Sequence, residues 1–129
     1  GCGLSPDTVA EVWAGIANAH QEYFRLGDLL TTIVETNVTV ERLMAFKRAY
    51  YDHVAQMRVH LPLILDIAPE RVEPLLVAIY YHATGLVSGC WSNPLIAEAL
   101  ERLEIARPET DFRAEMRDFI GMCLDHYTR

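Results

Sequence analysis

The chain has 129 residues, of which 51% are hydrophobic and 22% charged, the size and balance of one globular domain with its own core. Its formal net charge of -7 repels phosphate backbones, and no basic arm stands out, which excludes nucleic-acid binding by these residues. Three unclustered cysteines, Cys2, Cys90 and Cys123, exclude a disulfide framework and a structural zinc site, and point to a reducing, cytoplasmic setting.

The N-terminal Gly1-Cys2-Gly3-Leu4 lacks the basic and apolar regions of a signal peptide. Ser5 then caps a first helix, with Pro6 at its first position and Asp7 near the positive end of the dipole, running to about Ala19. A second helix is expected from about Gln21 to Glu35, bent near Gly27. Thr39 caps a third, whose Val40, Leu43, Phe46, Tyr50, Val54, Met57 and Leu61 recur every three or four residues as one apolar stripe. Pro62 is expected to stop it.

A fourth helix runs from near Pro69 to about Trp91, with Pro74 marking either a later start or a kink. Val72, Leu75, Leu76, Ile79, Ala83, Leu86 and Cys90 form one face, and the opposite face is also uncharged. A helix uncharged all round must be covered on both sides. The run from Pro74 to Ala97 is broken by Asn93-Pro94 and carries too many polar groups for a membrane span. Asn93 caps a short helix ending near Leu103, Glu104 to Thr110 forms a polar connection, and Thr110 or Asp111 caps a last helix. That helix lines up Phe112, Met116, Phe119, Ile120, Cys123, Leu124 and Tyr127. The expected fold is all-α, a bundle of about five to six helices in a single domain over residues 1–129. Gly85, Gly89 and Gly121 inside helices mark a close approach of backbone, either within one subunit or between two.

Catalytic motifs are lacking. There is no Glu-x-x-His, His-Glu-x-x-His, phosphate-binding glycine loop or Gly-x-Ser-x-Gly. His53 and His60 share a helix face, but two such histidines are more often solvated than metal-bound, so neither metal nor cofactor is expected. The aromatic residues are more informative. Trp13, Phe24, Phe46, Tyr50, Tyr51, Tyr80, Tyr81 and Trp91 are spread over several helices, as in a core or in the wall of an apolar pocket. Trp13, Tyr50, Val54, Met57, Ile79 and Ala83 are the candidate ligand-binding set.

Ile33-Val34-Glu35-Thr36-Asn37-Val38-Thr39-Val40-Glu41, followed by Ala45-Phe46-Lys47, resembles a run in the C-terminal domains of tetracycline-repressor-type (TetR) regulators. Thr84-Gly85-Leu86-Val87-Ser88-Gly89-Cys90-Trp91-Ser92-Asn93-Pro94 resembles the end of their penultimate long helix, and Ala97-Glu98-Ala99-Leu100 and Asp111-Phe112-Arg113-Ala114-Glu115 continue the likeness. The resemblance covers most of the chain from about Glu11. It implies a domain that senses a small apolar or aromatic effector and forms a homodimer through its last two long helices, about 70–91 and 111–127, paired as a four-helix bundle. The interface residues implied are Tyr81, Gly85, Ser88, Gly89, Phe112, Met116, Phe119, Ile120 and Cys123. It further implies a transcriptional repressor in which effector binding changes the dimer geometry and releases DNA. Nothing here matches the N-terminal helix-turn-helix of such proteins, so DNA contact is expected only through a domain absent from these residues. The competing readings are a helical partner-binding module and a small helical-bundle enzyme with no DNA role.

Overall fold

The computed structural model describes residues 4–24, 39–90, 94–106 and 110–128. Among these the regular structure is entirely helical: α1 Pro6–Ala19, α2 Val40–Ile64, α3 Pro69–Cys90, α4 Pro94–Arg102 and α5 Phe112–Tyr127. The caps expected from sequence form. The Ser5 side chain accepts from Thr8 N at 3.1 Å, Thr39 from Arg42 N at 3.3 Å and Asp111 from Ala114 N at 3.1 Å, each satisfying a backbone donor that the first turn leaves orphaned. The second expected helix is helical at residues 21–24 and otherwise lies outside the described residues, as do Trp91, the Asn93 cap and most of the resemblance-bearing run 33–41.

Pro62 does not stop α2. The helix continues to Ile64 and closes with Leu65 N donating to Leu61 O at 2.8 Å. Proline costs helix stability because it lacks the N–H and crowds the carbonyl four residues back. Here Leu61, Leu65 and Ile67 are all buried on either side of it, and their packing holds the last turn helical. Pro74 likewise lies inside α3, which starts at Pro69.

The core is built where α5 meets α1 and α3, and where α3 meets α2. α1 contributes Val9, Ala10, Ala14 and Ala17, small side chains that let a helix lie close. α3 contributes Val72, Leu75, Ile79, Ala83 and Val87, and α5 contributes Phe112, Met116, Ile120, Cys123 and Leu124. On the rim, Glu11 of α1 holds Arg113 at 3.8 Å and Arg117 at 3.5 Å. Four residues link α2 to α3, which forces the two helices antiparallel, and Arg58 and Glu73 bridge them at 2.9 Å. α4 is different: none of its residues is buried, and Leu95, Ile96 and Leu103 are exposed.

Candidate functional site

Two surface features have the chemistry of recognition sites. The first is an apolar groove of about 420 Å³ between α1 and the C-terminal half of α2. Leu4, just before α1, and Thr8, Val12 and Ile16 of α1 lie along one ridge with Val9 and Trp13 beside it, and α2 offers Met57, Leu61 and Ile64. The spacing of four on α1 and of three or four on α2 puts each set on one helix face. Val12 and Ile16 remain more than half exposed, so α1 is apolar on two sides, one buried in the core and one open. Its polar lining groups are the Trp13 indole N–H and the Thr8 hydroxyl, the latter hydrogen-bonded to the Ser5 hydroxyl at 2.8 Å. The groove therefore offers dispersion and apolar burial, with no charge to anchor an ion.

The second is the outer face of α3. Pro74, Val77, Tyr81, Gly85 and Ser88 recur at helical spacing on one side of the helix. Pro74, Tyr81, Gly85 and Ser88 are exposed, Tyr81 at 69%. No charged residue occurs between Pro74 and Cys90. Beside this face, His82 of α3 stacks on Phe119 of α5, with ring centroids 3.8 Å apart and planes 8° apart. The neighbouring Met122 is 64% exposed. Among the described residues, the buried atoms His82 Nε2 and Thr84 Oγ1 have no hydrogen-bond partner.

Within the described residues no three His, Cys, Asp or Glu side chains group as metal ligands, and His53 and His60 both point to solvent. No helix among them is long and apolar enough to cross a membrane.

A family model described as "Tetracyclin repressor-like, C-terminal domain" matches residues 1–125. The chain belongs to this family. No curated protein and no solved structure matches it. Domains of the tetracyclin repressor-like C-terminal family are regulatory, and they generally bind effectors and dimerise.

The structure divides the residues that sequence reasoning assigned to ligand and dimer. Trp13 and Met57 line the apolar groove. Val54, Ile79 and Ala83 do not reach it: they are buried in the tetracyclin repressor-like domain's own interior. Tyr50 stands at the surface with its ring 5.0 Å from Tyr51, edge to face. Periodicity missed Leu4, Thr8, Val9, Val12 and Ile16, although the four-residue spacing of Leu4, Thr8, Val12 and Ile16 is legible beside the buried alanines of the same helix.

For the dimer set, Tyr81, Gly85 and Ser88 lie on the open face of α3, whereas Phe119 is half buried against His82. Gly89 belongs to α3, but its burial lies outside what is described. Phe112, Met116, Ile120 and Cys123 are buried inside one subunit, because α5 covers both α1 and α3 and uses its apolar stripe to do so. A Cβ built on Gly85 or Gly121 meets nothing within 4 Å among the described residues, so of the two crossings expected from sequence, neither glycine makes one between described helices of the same subunit.

Proposed function

We propose that this is the effector-sensing and dimerising half of a TetR-type transcriptional repressor. The effector is a small neutral apolar or aromatic molecule seated in the groove between α1 and α2. The observation that carries the sensing role is the lining itself, nine residues none of which is charged and of which only Thr8 and Trp13 carry a polar side-chain group. A pocket with so few polar groups selects by shape and apolar area, and it penalises any ligand that must leave a charge unsolvated. The homodimer forms through the outer stripe of α3, with Gly85 allowing backbone approach and Met122 of α5 flanking it. This revised interface keeps Tyr81, Gly85 and Ser88 and replaces the buried α5 residues by those on its outer side.

Sensing follows as a population shift. α1 contacts the effector on one side and α5 on the other, so a ligand that prefers one setting of α1 biases the α3–α5 pair on which the twofold contact rests. DNA would be released through helix-turn-helix heads outside these residues. Trp13 supplies the test. Titration with a neutral lipophile such as 1-decanol should shift its fluorescence saturably, and Met57→Trp, which fills the groove, should abolish the response while leaving helicity unchanged. A linear, unsaturable change, or full response in the filled variant, would remove the groove from the account.

A further inference from the structure

The groove between α1 and α2 has a shape that discriminates among apolar molecules. Leu4, Thr8, Val12 and Ile16 all border it. The first and last are twelve residues apart (16 − 4), about 18 Å at the helical rise of 1.5 Å per residue. Spread over that length, the volume of about 420 Å³ leaves a mean cross-section of about 23 Å². Carbon atoms in contact stand about 3.5–4.0 Å apart, so a section of this size passes one methylene chain and little more. A caged or fused-ring skeleton of equal apolar area would have to stand out of the groove into water.

The lining chemistry agrees with the shape. Apart from Thr8 and Trp13 the walls are aliphatic. Val9 and Leu61, 9% and 4% exposed, make the floor, and Val12 and Ile16, 58% and 57% exposed, make the rim. Met57 in the facing wall is unbranched and adapts to the bends of a flexible chain. The paired hydroxyls of Ser5 and Thr8, 2.8 Å apart, stand at the Leu4 end and retain hydrogen-bonding capacity for a hydroxyl or carbonyl head. The net charge of -7 repels a carboxylate head.

We infer that the groove takes an unbranched, single-chain lipophile with an uncharged head, of the fatty alcohol or aldehyde type, lying lengthwise between α1 and α2. This rests on the groove being the sensing site proposed above. An extended chain of single bonds advances about 1.2 Å per bond, so about fifteen bonds span the lining, and affinity rises with chain length up to that limit. Full burial of a methylene is worth about fourfold in affinity; with one side of the chain left in water, each is worth about twofold.

The experiment follows the Trp13 indole N–H signal by NMR of the whole chain during titration with 1-hexanol, 1-octanol and 1-decanol. Each should shift it saturably, with Kd falling about fourfold at every step of two carbons. 1-Adamantanol, a rigid cage with roughly the apolar area of 1-hexanol, should bind about fivefold more weakly than 1-hexanol, the equivalent of two to three methylenes left in water. Affinity independent of chain length, or a cage bound as tightly as 1-hexanol, would overturn the single-chain assignment and leave the groove as the sensing site. If no alcohol saturates, or if Met57→Trp responds like the wild type, the groove itself is removed and this inference falls with it.

Discussion

Cys123 is buried near the end of α5, and burial pushes its thiol above its ordinary value. The folded state thus favours the neutral thiol. Its contribution to stability is complete below the ordinary thiol pKa and is lost as pH rises through the raised one. Urea midpoints measured from neutral to alkaline pH should therefore fall more steeply for the wild type than for Cys123→Ala. Parallel curves would show that the thiol stays neutral in both states or ionises equally in both. Glu104 is the other residue whose conformation has a readable cost. It takes φ 56° after α4, where Ile105 N reaches Leu100 O at 2.9 Å and Glu104 N reaches Glu101 O at 3.0 Å. This is a Schellman ending with a glutamate in the place glycine fills most easily. Glu104→Gly should raise stability by about 1 kcal/mol, seen as a higher urea midpoint with an unchanged slope. A loss would mean that the Glu104 side chain contributes more than its backbone strain costs.

At the scale of elements, the helices were legible where caps and periodicity agreed. Ser5 and Thr39 cap the helices that the sequence assigns to them, and of the two candidates for the last helix, Thr110 and Asp111, it is Asp111 that caps it. Prolines were harder to read. Pro62 was expected to end α2, yet buried neighbours carry the helix past it, and no local rule weighs that packing against the lost hydrogen bond. Periodicity also gave the stripe of α2 but not how much of it is used. Val54 and Leu61 are buried, whereas Val40 and Phe46 stay more than half exposed. A stripe says which residues share a face, while the length of the neighbouring helix decides how far that face is covered. The same limit explains α5: its apolar residues were identified correctly, but not which surface they meet, and they close the subunit's own core.

For the whole molecule, family and fold class were readable because short runs, charge and helical period all pointed one way. The candidate sites were readable only in part. Trp13 and Met57 emerged as lining residues, whereas the ridge of α1 was hidden because its buried alanines drew the pattern and its open side resembled ordinary scattered surface. The account is that of a subunit whose core is closed by α1, α3 and α5 and whose recognition chemistry lies on what remains uncovered. The outer stripe of α3 carries the greatest consequence, since sensing has no output without a partner whose geometry can change. Sedimentation of the wild-type chain and of Gly85→Leu at micromolar concentration tests this most directly. The wild type should sediment as a dimer and the variant as a folded monomer of unchanged helicity. A wild-type chain that sediments as a monomer, or a Gly85→Leu chain that remains dimeric, would contradict the claim that this face joins two copies.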